Sequence, residues 1–250
     1  MFPVNPKNPK TTLCLRSDSN MLDCVNSIAI DGPAASGKST VAQRLAEQIG
    51  FVFFDTGVMY RAVTFAALDH GLDLQQDEVV TDLAESLDLD ISSPSIDDGR
   101  QADVLIDGAD HTWDIRLPDV DANVSRVSAI QGVRDELSRQ QRKIGERGGV
   151  VMVGRDIGTV VLPEACLKIY LDASAEERAR RRYEESKSRG EVLDYEQVLA
   201  DIRRRDKIDS TREIAPLRAA EDAVHIHSDG LSVAAIVQQI AELYAQRVAE

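Results

Sequence analysis

The sequence predicts an α/β fold built on a parallel sheet, and three observations predict it. From Asn26 onward, short β-branched or aromatic runs alternate with amphipathic stretches, the pattern of repeated βαβ units. A glycine-rich segment, Gly32-Pro33-Ala34-Ala35-Ser36-Gly37-Lys38-Ser39, follows the first apolar run and precedes a helical pattern. Two polar segments, Asp55-Thr56-Gly57 and Gly154-Arg155-Asp156, directly follow later runs, at the carboxyl ends where open α/β sheets place ligands.

Residues 1–24 mix Pro, Asn, Ser and Lys without periodicity and lack the apolar core of a secretory signal, so they read as a flexible extension in which Met21 offers a second start. Residues 25–250 form the main domain. Its candidate strands are residues 27–31, 51–55, 150–154, 167–172 and 223–228. The first helix carries Val41, Leu45 and Ile49 on one stripe and stops at Gly50; the last carries Val233, Ile236, Val237, Ile240 and Tyr244. Ser174 followed by Glu177 is a capping box opening a helix over residues 176–188. Residues 88–117 break the alternation: short alternating runs with Asp98-Gly99 and Asp107-Gly108 turns predict a small antiparallel insert.

Composition bounds the function. At 250 residues the chain can bury one substantial core and still carry an inserted module. A net charge of -14 opposes binding to a nucleic-acid backbone, so any positive site has to be a local cluster fitted to a small anion. No apolar run is long enough to cross a bilayer. The three cysteines, Cys14, Cys24 and Cys166, have no metal-ligand spacing and argue against a disulfide framework, which favours a reducing compartment and hence the cytoplasm.

The glycine-rich segment fits G-x-x-x-x-G-K-[ST] in the context its mechanism requires. Glycines let consecutive N–H groups point at a phosphate, and the following helix adds the positive end of its dipole. The loop from Gly32 to Thr40 is therefore the expected ATP site, with Lys38 on the β and γ phosphates and the Ser39 hydroxyl as a ligand to Mg²⁺. Such a loop serves GTPases, motor ATPases and small-molecule kinases alike. No Asn-Lys-x-Asp guanine signature is present, which counts against the first. On the helix from Tyr195, the stripe Tyr195, Val198, Ile202 continues into Arg205, Asp209 and Arg212, so its second half either lines a polar cleft or is a solvated ion-pair helix around Arg203-Arg204-Arg205.

The segments GPAASGKST, DTGVMYRA, VGRDIGTVVLPEA, LDASAEERARRR and RRRDKIDSTREIAPL, in that order and spacing, resemble bacterial cytidylate kinases over residues 27–250. The resemblance implies the P-loop nucleoside monophosphate kinase fold: a five-stranded parallel sheet flanked by helices, the β insert of the long bacterial form in the acceptor-binding region, and a lid over residues 181–212. It implies transfer of the ATP γ-phosphoryl group to CMP or dCMP by a monomer. By matching position, Arg61, Arg155 and Arg212 hold the acceptor phosphate, and Arg205 with Asp209 its sugar. Ser125, Arg134 and Asp156 read the cytosine, Thr56 and Tyr60 line the same site, and Arg181 serves the donor phosphates. Lys38, Arg155, Arg181, Arg205 and Arg212 form the catalytic set. Three positions depart from the family's pattern: Val153 where an acid precedes Gly-Arg-Asp, His227 in place of an aspartate, and Ile208 in place of a polar lid residue. The competing readings are a kinase for UMP, AMP or shikimate, and a nucleotide-binding regulator without catalysis.

Overall fold

The structure is a computed structural model and describes residues 25–92, 94–188, 190 and 193–249. The extension expected over residues 1–24 lies outside them. Strand β1 (Val25–Asp31) leads through the glycine-rich loop into α1 (Lys38–Ile49), and β2 (Val52–Asp55) into α2 (Thr56–Asp69) and α3 (Asp77–Ser86). The insert contributes β3 (Leu89–Ser92), β4 (Asp103–Ile106) and β5 (Ala109–Asp110), after which α4 (Pro118–Val127) and α5 (Gln131–Gly145) return the chain to β6 (Val150–Gly154). A π-helical turn, Ile157–Val161, leads to β7 (Ala165–Asp172), α6 (Ala175–Ser188), α7 (Tyr195–Thr211), β8 (Val224–His227) and α8 (Val233–Ala249).

The main sheet has five parallel strands in the order β2-β6-β1-β7-β8, and β3-β4-β5 form a separate antiparallel sheet. Strand alternation sets its two buried faces. Ile28 and Ile30 pack with Val41 and Leu45 of α1 and Ile236 and Ile240 of α8, while Ala29 and Met152 face Met59 and Val63 of α2 and Leu137 of α5. The α6–α7 hairpin has its own small core: Val198, Leu199 and Ile202 of α7 against Ala179 of α6, with Tyr195 and Ala35 at its edge.

Local signals are met at several ends. Gly50 closes α1 at φ 75°, its N–H donating to the Ala46 carbonyl, and Asp107 (φ 49°) with Gly108 (φ 81°) forms the two-residue turn joining β4 to β5. Only half of the capping box forms. The Ser174 hydroxyl accepts from the Glu177 N–H at 3.2 Å, but the Glu177 carboxylate is taken by Arg180 and Arg181. The insert is also shorter in strand than expected, because after Asp110 the chain turns through a 3-10 segment, Asp114–Arg116, into α4 with Pro118 at its first position. Cys166, which opens the second residue of β7, is disulfide-bonded. That corrects the reading of three cysteines outside any disulfide; Cys14 and Cys24 lie outside the described residues. Cys166 follows Ala165, which pairs with Val25 across the sheet, a neighbourhood that spacing along the sequence does not reveal.

Candidate active site

The phosphate loop is shaped by two close approaches. Gly32 has φ 152°, and a Cβ there would stand 2.1 Å from the Leu171 carbonyl oxygen, so β7 admits only glycine at this turn. Gly37 takes φ 91° at the start of α1. Lys38 is buried, its ammonium donating to the Pro33 carbonyl at 2.6 Å and facing the Ser36 hydroxyl at 3.4 Å, so it folds back over its own loop. Burial pushes its pKa well below the ordinary lysine value and Arg155 adds to the shift, against Asp55, Asp31 and Asp209. A phosphate anion in the loop would reverse that penalty.

Ser39 donates to Asp55 Oδ2 at 2.7 Å, while Asp55 Oδ1 caps α2 through the Gly57 N–H at 2.9 Å. A hydroxyl and a carboxylate at the mouth of the loop are hard oxygen donors, suited to Mg²⁺. Among the described residues no group of three or more His, Cys, Asp or Glu side chains is placed to hold a metal ion.

Helix α6 meets the loop through two arginines. Arg181 donates to the Ser36 carbonyl at 3.3 Å and to the Ser228 carbonyl at 2.9 Å. Arg178, which the sequence reading left without a role of its own, is 4 % exposed and donates to the Ala34 carbonyl at 3.1 Å while forming a bidentate ion pair with Asp206 of α7 at 3.0 and 2.6 Å. One guanidinium therefore ties the loop, α6 and α7 together.

The expected acceptor residues divide into groups. Asp156 accepts from Arg134 and stands 3.9 Å from Arg212, an ion pair too long to be a hydrogen bond. The Arg134 guanidinium also lies over the Tyr60 ring, 5.4 Å from its centroid, and donates to the Ser128 carbonyl at 3.0 Å. Arg155 donates from Nε to Asp209 Oδ2 at 2.9 Å. Arg61 donates to the Ile115 carbonyl at 3.1 Å and to Asp121, whose carboxylate also takes Arg182 and faces Arg205 at 3.4 Å. Ser125 is buried on α4, one turn before Ser128. Thr56 is drawn elsewhere: its hydroxyl is spent on the Val153 carbonyl at 2.8 Å, joining β2 to β6. The α7 stripe combines both readings of its charged half. Arg203 and Arg204 are exposed and pair with Glu176 and Asp201, while Arg205, Asp209 and Arg212 are largely buried and pair with Asp121, Arg155 and Asp156.

Six arginines here (61, 134, 155, 182, 205 and 212) face three carboxylates (121, 156 and 209), an excess of three positive charges in a chain of net charge -14. Two of the arginines are incompletely served. Arg205 Nε and Arg212 Nη2 are buried with no hydrogen-bond partner among the described residues. Burial lowers both pKa values, with Arg155 and Arg61 adding to the effect at Arg205 and Arg134 at Arg212. Since a guanidinium does not give up its proton, the charge stays and an anion between them relieves it.

Asp31 is the second residue that sequence reasoning missed. At the end of β1 it accepts from the Ile157 and Gly158 N–H groups, each at 2.8 Å, and so anchors the π-helical turn that follows Asp156. Its signal was present, an aspartate next to the glycine-rich loop, but its partners lie 126 and 127 residues away.

A model of one family, described as cytidylate kinase, matches residues 28–246. Proteins named cytidylate kinase from Bacillus velezensis and Bacillus subtilis are 48% and 47% identical over 221 residues, each match covering 88% of this chain and 97% of the relative. One from Enterococcus faecalis is 49% identical over 221 residues, covering 88% of this chain and 96% of its own.

Proposed function

The chain belongs to the cytidylate kinase family, and from that premise we propose that it transfers the γ-phosphoryl group of ATP to CMP or dCMP, giving CDP or dCDP and ADP. The observation that carries the reading is the two buried arginines with orphaned donors, Arg205 next to Asp121 and Arg212 next to Asp156. They ask for an anionic group, and the loop asks for a second one.

In this reading residues Gly32 to Thr40 hold the donor phosphates, with Arg181 at their edge. Arg61, Arg155 and Arg212 hold the acceptor phosphate, and Arg205 with Asp209 its sugar. Ser125, Arg134 and Asp156 meet the base, over Tyr60. Cytosine presents an exocyclic amine as donor and N3 and O2 as acceptors, so a carboxylate beside an arginine complements it; uracil reverses the polarity at two of these atoms and leaves Asp156 facing an acceptor. Asp156 can serve because only one of its lone-pair directions is spent on Arg134.

The attacking phosphate oxygen is already anionic, so no side chain has to remove a proton from it. Rate comes from alignment and from the positive charge of Lys38 and the arginines around the transferring group. Mg²⁺, held by Ser39 with Asp55 behind it, would neutralise the donor phosphates and orient them. The α6–α7 hairpin excludes water, which would otherwise accept the phosphoryl group. No described helix is long and apolar enough to cross a membrane. A cytoplasmic monomer is proposed from the family alone.

Incubation with ATP labelled in the γ-phosphate tests the activity directly. Label is expected in the β-phosphate of CDP when CMP is supplied, with little free phosphate released. Tight nucleotide binding with no label passing to any monophosphate would sink the reading and favour a regulator.

A further inference from the structure

A single carboxylate on α4 gathers guanidiniums from three other elements. Asp121 Oδ1 accepts from Arg61 of α2 and faces Arg205 Nη1 of α7 at 3.4 Å, while Oδ2 accepts from Arg182 of α6. Nothing in the sequence marks it: it sits between Val120 and Ala122 on a short helix whose apolar stripe is Val120, Val124 and Val127. Isolated exposed ion pairs contribute little. This one differs because Asp121 is only 23 % exposed and serves three cations at once. Burial alone would raise its pKa, but Arg61, Arg182 and Arg205 together hold it below the usual carboxylate range.

The arrangement joins two bodies. Arg182 and Arg205 belong to the α6–α7 hairpin, which has its own apolar core, whereas Asp121 and Arg61 belong to the α2–α4 wall. Without the carboxylate, Arg61 and Arg205 would repel each other; burial is the main cause that lowers the Arg205 pKa, Arg155 and then Arg61 add to it, and Asp121 opposes them. An acceptor phosphate brings negative charge to the same two guanidiniums. A fixed carboxylate among them does two opposing things to that ligand: it gathers the cations, and it repels the incoming dianion while occupying donors the ligand needs.

We propose that Asp121 is a latch that competes with the acceptor's phosphate for Arg61 and Arg205 while it holds the α6–α7 hairpin against α4 through Arg182. The proposal rests on the reading of Arg61 and Arg205 as acceptor-site residues. It concerns the phosphate and not the base, so it holds for any nucleoside monophosphate the enzyme uses.

The test compares wild type with Asp121→Asn, which keeps shape and removes the charge, using the monophosphate that wild type turns over best. KM for that acceptor is expected to fall by about three- to tenfold, the effect of removing one partly screened charge partner, with no fall in kcat. Asp121→Glu, which restores a carboxylate, is expected to return KM toward the wild-type value. Hydrogen exchange without nucleotide is expected to be faster in α6 and α7 of Asp121→Asn. Arg182→Gln, which frees the lid side of the latch from a half-exposed position, reads the same exchange if the first variant does not fold. An unchanged or raised KM, a lower kcat, or unchanged exchange in α6 and α7 would overturn the latch. If wild type prefers UMP or AMP to CMP, the cytosine reading falls and the latch is tested with the preferred acceptor.

Discussion

Asp31 shows how one buried carboxylate can carry both structure and pH dependence. Burial pushes its pKa up to about 6, more than the two N–H donors of Ile157 and Gly158 pull it down. Because the folded value lies above the unfolded one of about 4, its contribution to stability is complete below pH 4 and is lost as pH rises through 6; the loss is about 3 kcal/mol. Urea unfolding of wild type and Asp31→Asn between pH 4 and pH 8 is expected to show wild type losing that much relative to the variant, and parallel curves would contradict the account. Asp156 makes the complementary case for function. Asp156→Ala removes the acceptor for the cytosine amine and leaves Arg134 and Arg212 without their carboxylate, so kcat/KM for CMP is expected to fall by about two or more orders of magnitude. Retained turnover would mean that the base is read elsewhere. Asp156 could be placed from its motif at a strand end. Asp31 and Asp121 could not be assigned partners, because those partners come from elements brought near only by the folded chain.

At the scale of elements, the glycine-rich loop and the α6–α7 hairpin are built by different rules. The loop is fixed by backbone contact: a side chain at position 32 meets the Leu171 carbonyl, so Gly32→Ala is expected to disturb both β7 and ATP binding, measured as a raised KM for ATP and a lowered Tm. A variant with the wild-type values would show that the close approach is unimportant. The hairpin is held by apolar packing, and Ile202 is 3 % exposed in its core. Ile202→Ala is expected to cost about 2–4 kcal/mol of local stability, seen as faster hydrogen exchange in α6 and α7 ahead of the main sheet. Periodicity made Val198 and Ile202 legible as one stripe, and continuing it pointed to Arg205, Asp209 and Arg212. The same periodicity could not reveal Arg178, whose pairing with Asp206 depends on how two helices meet.

For the whole molecule, a strongly acidic chain gathers six of its arginines around three carboxylates. The parallel sheet brings the ends of β1, β2 and β6 side by side, so the glycine-rich loop, Asp55 and Gly154-Arg155-Asp156 share one edge. Strand runs and the phosphate loop made this architecture readable from the sequence, including the insert as a separate antiparallel sheet. The pairing of each arginine was not readable, since six of them compete for three carboxylates and the outcome depends on distances of a few ångströms. The central claim is that this cleft joins ATP to a cytosine nucleotide. It is tested most directly by kcat/KM for CMP, dCMP, UMP and AMP, measured by coupled ADP release with saturating MgATP. The account expects CMP or dCMP to exceed UMP and AMP by at least about a hundredfold, the scale on which unpaired buried polar groups reject a wrong base. Equal or faster turnover of UMP or AMP would contradict it.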